Sequence, residues 1–189
     1  MKKLLLSAFT AVTLCLSCAA QAQESYVKFG VGQGHYKMDG LDSNKTGVSL
    51  AFGQSLSENW GYEIGYMHFG KWAGSQTVGT VTDKVSFRTQ SLYAAAVGTL
   101  PLNEYFSLFG KLGVAANYTQ GDFSSVDTAL PANNFKASDS ETKYKPMAGI
   151  GAAYHFDKQI AATIEYQYFG KVSGDLKIDA WTVGLKYGF

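Results

Sequence analysis

Three histidines are the side chains of this sequence best suited to acid–base catalysis: His35, His68 and His155. A serine hydrolase places such a histidine beside a nucleophile and an orienting acid. No His-x-Ser pattern accompanies His155, and the serine and aspartate residues are scattered among turn-forming segments. The sequence therefore assembles no catalytic constellation, and we do not expect an enzyme.

The sequence supports metal or cofactor binding no better than it supports catalysis. The two cysteines, Cys15 and Cys18, both lie near the N-terminus, and no two histidines stand at ligand spacing. Asp39, Asp42 and Asn44 are not followed by the distal glutamate of a calcium loop. We expect neither a metal nor a cofactor.

A second set of chemically capable residues consists of isolated charges within apolar and small-residue runs. Its members are Lys28, Glu63, Lys111, Glu165 and Lys186. A charge that is removed from water needs a partner of opposite sign. We therefore expect a network in which Glu63 or Glu165 pairs with Lys111, provided that the strands or helices around them turn these side chains to one side.

The composition limits the kind of protein that can carry these residues. Of 189 residues, 16% are charged, 46% are apolar and 14% are aromatic, and the formal net charge is +1. Soluble domains usually contain about 25% charged residues. With no basic run beyond the first three residues, the chain does not fit a nucleic-acid-binding protein.

The first 22 residues have the pattern of a cleaved secretory signal peptide. Two lysines precede an apolar run over residues 4–16, and Ala20-Gln21-Ala22 supplies a small-x-small cleavage site. The run is shorter than the roughly 20 residues of a membrane-spanning helix, and Cys18 leaves a lipoprotein as the minor alternative. We predict a signal peptide at 1–22 and one disulfide-free domain at 23–189.

Alternation of large and small residues dominates the sequence after Gln23. From Trp60 to His68, large residues occupy the even positions, and mostly small or polar ones occupy the odd positions. This period of two is typical of β-strands. The pattern predicts eight strands, at residues 26–36, 45–56, 60–69, 85–100, 105–119, 143–156, 160–169 and 177–189.

The links between the predicted strands alternate in length. Three are tight turns, at residues 57–59, 102–104 and 157–159, and four are longer, at residues 38–44, 70–84, 120–142 and 170–176. In an up-and-down meander, all tight turns lie at one end and all longer loops at the other. This asymmetry is typical of outer-membrane barrels.

Side-chain volume decides which face of the strands lies inside. The bore of an eight-stranded barrel is only just wide enough for side chains, so large aromatic residues from every strand would overfill it. A soluble barrel with the opposite orientation would have a glycine-, alanine- and serine-rich outer wall, which is a poor solvated surface. We predict an all-β, eight-stranded antiparallel up-and-down transmembrane β-barrel with aromatic residues toward lipid, small groups in the bore and the five charges in the lumen.

Aromatic residues near the predicted strand ends fit the two interfacial girdles of such a barrel. The expected girdle at the short turns contains Trp60, Tyr105, Phe106, Phe156 and Tyr187. The expected girdle at the longer loops contains Tyr36, Phe69, Tyr118, Tyr168 and Trp181.

Several segments resemble the eight-stranded barrel of outer-membrane protein A and related small barrels. The resemblance rests on Gly61-Tyr62-Glu63-Ile64-Gly65-Tyr66, on residues 97–102 leading to Lys111-Leu112-Gly113, on residues 164–168 and on the ending Gly184-Leu185-Lys186-Tyr187-Gly188-Phe189. It covers essentially all of residues 23–189. The resemblance implies a monomer in contact with outer-membrane lipid and lipopolysaccharide.

The resemblance also implies roles for individual residues. Val183, Leu185, Tyr187 and Phe189 resemble the terminal strand signal that is read by the barrel-assembly machinery. Glu63, Lys111 and Glu165 match members of a lumenal plug or gate, whereas Ala96, Ala153 and Thr163 stand where the family has further charged members.

We expect the function to lie in the outer loops, which a rigid barrel displays. The longest, at residues 120–142, carries the apolar candidates for recognition Phe123, Val126, Leu130 and Phe135. A structural or surface-interaction role with a host or environmental ligand is the first expectation. A narrow pore and, less favoured, a lipid-modifying enzyme are the alternatives.

Overall fold

Residues with a period of two build eight strands that pair in chain order. The computed structural model describes residues 24–38, 41–127, 129, 134–173 and 176–189; the predicted signal peptide at 1–22 lies outside them. The strands are β1 (Ser25–Met38), β2 (Leu41–Ser55), β3 (Trp60–Val78), β4 (Val81–Pro101), β5 (Phe106–Asp127), β6 (Phe135–His155), β7 (Ile160–Ser173) and β8 (Leu176–Gly188). No helix in the described residues is long and apolar enough to span a membrane.

The sheet closes on itself, because β1 pairs with both β2 and β8. All neighbours are antiparallel, and the β1–β8 register runs from Tyr26 opposite Gly188 to Lys37 opposite Lys177. Closure leaves no edge around the barrel wall, so backbone groups are paired around its circumference. The predicted fold class is confirmed.

Alternate residues point outward and inward, as the volume argument requires. Along β3, Trp60 and Ile64 are exposed, whereas Glu63 and Met67 are buried. The exposed large apolar residues of the other strands continue this outer surface, and a surface of this kind is stable against lipid. Most of the predicted girdle residues lie on it, including Tyr105, Phe156 and Trp181.

The predicted outer loops are shorter than the sequence indicated, because the strands continue beyond the barrel rim. β5 runs to Asp127 and β6 begins at Phe135, so most of the predicted loop at 120–142 is a paired hairpin. The segment at 70–84 is also a hairpin, with its turn at Gly79-Thr80. Outside lipid neither face must be apolar, so these polar strands show little of the alternation on which the prediction relied.

The bore contains large rings as well as small groups, which corrects the expectation of a bore filled only by small residues. Tyr36 and Phe69, predicted as girdle residues, are almost fully buried inside the barrel. Both lie on the inward-facing parity of their strands. The chain turns at Gly70 (φ 78°), next to an irregularity in the β3–β4 register, and Gly170 (φ 78°) has the same conformation in β7. Such positive φ values favour glycine.

Glycines make room for other inward-facing rings. Tyr26 lies opposite Gly53, Tyr93 opposite Gly65, and Phe109 opposite Gly151. A Cβ atom on these glycines would lie 2.2 to 2.4 Å from the Cζ atom of the opposing ring. Each ring therefore occupies the space that a larger cross-strand neighbour would need.

Candidate functional site

Four charged side chains meet in the middle of the bore, one from each odd-numbered strand. They are Lys28 on β1, Glu63 on β3, Lys111 on β5 and Glu165 on β7. The signs alternate around the barrel, and all four residues are buried. We call this group the charge quartet.

Every carboxylate of the quartet contacts both ammonium groups. The Lys28 Nζ atom lies 3.3 Å from Glu63 Oε1 and 2.5 Å from Glu165 Oε2. The Lys111 Nζ atom lies 2.6 Å from Glu63 Oε1 and 2.5 Å from Glu165 Oε1. Each pair therefore joins strands on either side of an intervening strand, a separation of about 10 Å between backbones that only long side chains can bridge.

Neutral donors complete the coordination of the two carboxylates. Tyr26 donates its hydroxyl hydrogen to Glu63 Oε2 at 2.9 Å, and Tyr93 donates to Glu63 Oε1 at 2.6 Å. The amide of Gln167 donates to Glu165. Because removing charge from water is costly unless each group is paired and hydrogen-bonded, this coordination stabilises the buried charges.

An apolar layer fills the bore on the outer side of the charge quartet. Its large members are Tyr36, Met67, Phe69, Tyr93, Met147, Phe169, Leu176 and Ile178. Phe69 and Phe169 meet edge to face with their centroids 5.0 Å apart, and Tyr93 contacts Phe169 at 6.0 Å. The two phenylalanines come from the similar segments Phe69-Gly70-Lys71 and Phe169-Gly170-Lys171. Two layers of different chemistry thus occupy the bore in series.

Lys186, the fifth predicted lumenal charge, stands apart from the quartet. It lies directly opposite Lys28 in the β1–β8 register, and its ammonium group lies 4.2 Å from the centroid of the Tyr26 ring. The structure also corrects one position that was matched by resemblance: Ala96 is exposed on the outer wall, whereas Ala153 and Thr163 face the bore.

The three histidines lie at separate places and are not brought together. His35 Nδ1 is 3.5 Å from an Asp179 carboxylate oxygen near the outer end. His68 lies on β3 close to the outer rim, and its Nδ1 atom has no hydrogen-bond partner within the described residues.

His155 forms a contact that the sequence analysis missed. Its Nε2 atom lies 3.0 Å from Ser107 Oγ at the short-turn end of the barrel. The two residues are on neighbouring strands, 48 positions apart, so no local motif could reveal them; only the β5–β6 register does. In the described ranges no carboxylate hydrogen-bonds to this histidine, and no three His, Cys, Asp or Glu side chains are grouped so as to hold a metal ion.

The remaining predicted residues lie on two outer surfaces. Val183, Leu185, Tyr187 and Phe189 form one exposed row along β8. In the β5–β6 hairpin, Phe123 and Phe135 are exposed with ring centroids 6.4 Å apart, and Val126 is half-buried. Leu130 falls outside the described residues.

A basic groove crosses the outer hairpins, and sequence reasoning did not identify it. It has a volume of about 620 Å³ and is lined by Lys71, Lys84 and Lys136, several serines and one acidic residue, Asp122. Lys84 and Lys136 each lie opposite Ser124 from neighbouring strands. The two lysines therefore stand on one face, about 10 Å apart.

Comparison with known proteins places this geometry among bacterial envelope proteins. A family model described as the outer membrane protein beta-barrel domain matches residues 8–189. The attachment invasion locus protein of Yersinia enterocolitica is 28% identical over the full length of both chains. The outer membrane protein A of Serratia marcescens is 24% identical, covering 83% of this chain and 38% of that protein.

Solved structures show the same fold at lower sequence identity. The attachment invasion locus protein of Yersinia pestis, in complex with the heparin analogue sucrose octasulfate, is 23% identical; the match covers 89% of this chain and all of that one, with a TM-score of 0.64. Neisserial surface protein A is 12% identical, covering 87% of this chain and 97% of that one, with a TM-score of 0.63.

Proposed function

Since its residues 8–189 match that family model, the chain belongs to the outer membrane protein beta-barrel family, and we propose that it is an attachment protein whose outer hairpins bind sulfated glycans on a host surface. It resides in the outer membrane of a Gram-negative bacterium. The barrel acts as the rigid support, and the hairpins that rise above it act as the binding surface.

The observation that carries this proposal is the basic groove. Its three lysines face one aspartate, so the groove has an excess of positive charge. Ammonium groups form charge-assisted hydrogen bonds with sulfate oxygens, and a row of them attracts a polyanion from a distance. Phe123, which also lines the groove, offers an apolar surface for a sugar ring.

The names of the relatives also support an attachment function. Two relatives, from Yersinia enterocolitica and Yersinia pseudotuberculosis, are attachment invasion locus proteins at 28% and 27% identity over the whole of this chain. The Yersinia pestis structure contains a heparin analogue. These facts concern those proteins; in this chain the basic groove has the positive charge that a sulfated ligand requires.

The experiment compares heparin binding by the purified barrel in lipid nanodiscs with binding by a Lys84→Glu/Lys136→Glu variant. We expect the variant to bind at least tenfold more weakly, and the affinity of the unmodified chain to fall as salt rises, because the attraction is electrostatic. Lys158→Glu, in the exposed turn at the opposite end, is the matched control and should bind normally. Equal binding by the groove variant and the control would reject the proposal.

Neither alternative function gains support from the geometry of the bore or of the histidines. A pore needs a continuous path, but the quartet and the apolar layer fill the bore in series. A lipid-modifying enzyme needs a nucleophile, a base and an orienting acid together, and the histidines lie at three separate sites. We therefore propose a protein that neither conducts nor catalyses.

We also propose the steps that bring the chain to its membrane. Residues 1–22 act as a signal peptide that is removed on export, so the mature chain begins at Gln23. The exposed row Val183, Leu185, Tyr187 and Phe189 is read by the barrel-assembly machinery. The inserted monomer is surrounded by membrane lipid and lipopolysaccharide, which cover the apolar outer surface.

A further inference from the structure

A small cavity opens at the short-turn end of the bore, below the charge quartet. Its volume is about 70 Å³, enough for several water molecules, since roughly 10–15 Å³ suffices for one. The polar residues that decide its chemistry are Gln54, Ser107, His155, Thr163 and Lys186. We call this cavity the vestibule.

The two quartet carboxylates near the vestibule have little capacity left for a further donor. Glu63 accepts hydrogen bonds from Lys28, Lys111 and two tyrosines. Glu165 accepts from the same two lysines and from Gln167. A carboxylate offers about four lone-pair sites, so Glu63 is saturated and Glu165 has one site left. Glu58 is exposed in the turn at the mouth of the vestibule.

The donors of the vestibule, in contrast, are available. The Lys186 ammonium group lies over the face of the Tyr26 ring, and within the described residues no carboxylate lies at ion-pair distance from it. Gln54 Oε1 accepts from the Tyr62 hydroxyl at 2.5 Å, which leaves the amide NH₂ group to donate. When His155 donates its Nε2 hydrogen to Ser107, the serine hydroxyl is free to donate in turn.

The charges around the vestibule, like its free donors, favour a negatively charged ligand. The bore wall around the vestibule carries three ammonium groups, of which those of Lys28 and Lys111 are paired within the quartet. The remaining carboxylates at this end, on Glu24 and Glu58, are exposed to solvent, so Lys186 is the ammonium group within the bore that the quartet does not pair. Lys28 and Lys186 are directly opposite on neighbouring strands, an arrangement in which like charges destabilise the sheet. A ligand that accepts hydrogen bonds and carries negative charge would pair with Lys186 and offset the repulsion between Lys186 and Lys28.

We propose that the vestibule is a binding site for a phosphate group entering from the periplasm, with Lys186 as its charged anchor. Ser107, Gln54 and Thr163 donate to the remaining oxygens. A phosphate dianion offers three charged acceptor oxygens and fits the volume, whereas a cation would meet the Lys186 ammonium group. The site lies at the opposite end of the barrel from the basic groove and does not depend on the attachment function.

The test is isothermal titration calorimetry of the whole barrel in zwitterionic lipid nanodiscs, with sodium phosphate as the probe in a phosphate-free buffer. We expect saturable one-to-one binding that is weakened at least tenfold in Lys186→Met and kept within a few-fold in Lys186→Arg. Lys158→Met removes an exposed lysine at the same end of the barrel and should bind like the unmodified chain. Ser107→Ala, which leaves the quartet intact, should weaken binding to a smaller degree.

Two further titrations identify the source of the phosphate. Binding of sn-glycerol 3-phosphate with similar affinity supports a site for phosphate monoesters, and binding of inorganic phosphate alone supports a site for the free ion. Absence of binding to the unmodified chain overturns the proposal, as does unchanged phosphate binding by Lys186→Met. Sodium chloride titrating with the same affinity as phosphate also overturns it, because the site would then recognise charge alone.

Discussion

Inside the bore, each of several glycines leaves space for one aromatic ring on the neighbouring strand. Gly65 lies opposite Tyr93, whose hydroxyl donates to Glu63. The glycine therefore lets the ring lie flat against the neighbouring strand and places its hydroxyl at the charge quartet. Substitution at such a glycine affects both packing and a buried charge.

We expect Gly65→Ala to lower the free energy of unfolding by about 1–3 kcal/mol, the usual cost of overpacking. The new methyl group would lie 2.3 Å from the Tyr93 Cζ atom, so the ring must move and its hydrogen bond to Glu63 must lengthen. Urea denaturation of the barrel in lipid vesicles, followed by tryptophan fluorescence, measures the change.

Gly110→Ala provides the matched control. Gly110 lies on the lipid-facing side of β5, and the nearest heavy atom to its added Cβ would be 3.9 Å away. We expect its stability to differ little from that of the unmodified chain. An equal loss of unfolding free energy in both variants would show that the cost arises from strand propensity. The packing of the Tyr93 ring against Gly65 would then not contribute.

The residue types of the quartet were visible in the sequence, but its geometry was not. Alternation put Glu63 and Lys111 on the inward parity, and an apolar bore requires such charges to pair. Which charges meet depends on the stagger of strands that are far apart in sequence. Lys28 and Glu165 are 137 positions apart. Lys186, which also faces the bore, lies opposite Lys28 and forms no ion pair with Glu63 or Glu165.

At the scale of strands, β8 carries an exposed apolar row and also closes the barrel by pairing with β1. Phe189 forms backbone hydrogen bonds with Ser25 in both directions, and its ring is exposed beside that of Tyr187. The backbone contacts serve closure of the folded barrel. These backbone contacts do not require the ring, and we propose that the ring serves recognition during assembly.

We expect Phe189→Ala to reduce the amount of inserted barrel in cells several-fold while the protein refolded in detergent keeps nearly normal stability. The substitution keeps the backbone hydrogen bonds and removes only the ring. Heat-modifiable migration on gels of outer-membrane fractions measures insertion. Phe156→Ala, which removes an exposed ring at the same end, is the control; an equal reduction there would deny any special role to the terminal residue.

Strands were predictable where lipid constrains them and less so beyond the rim. Within the membrane the predicted bounds of β3 and β7 begin where the structure begins them, at Trp60 and Ile160. Outside it, the ladder from Val85 opposite Phe123 to Thr82 opposite Val126 continues without an apolar face. Backbone pairing that starts inside the membrane extends these strands, and a pattern based on side chains does not detect it.

At the scale of the whole molecule, the two layers of the bore act as independent seals. The quartet closes the bore by charge pairing and the Phe69–Phe169 contact closes it by apolar packing. Removing one layer leaves the other in place. The barrel should therefore remain closed unless both are opened.

We expect no current steps from the unmodified chain in planar bilayers, and none from Phe69→Ala/Phe169→Ala or from Glu63→Ala alone. The triple variant should conduct, because a path then joins the vestibule to the outer end. Circular dichroism verifies that each variant keeps its strands. Steps of equal size in the unmodified chain and the triple variant would mean that current passes elsewhere, and the seals would have no such role.

The charge quartet also affects the register in which β1 pairs with β8 when the barrel closes. Each of its bridges skips one strand, so none can form within a single hairpin and all four require a curled sheet. A slip of two residues between the first and last strands keeps every side chain on its proper face, and hydrophobicity alone would tolerate it. Such a slip would displace Lys28 by about 6.6 Å along the wall and leave Glu165 short of a cation. The quartet thus favours the correct register between the first and last strands. A misaligned closure would lose an ion pair, although its lipid-facing surface would be unchanged.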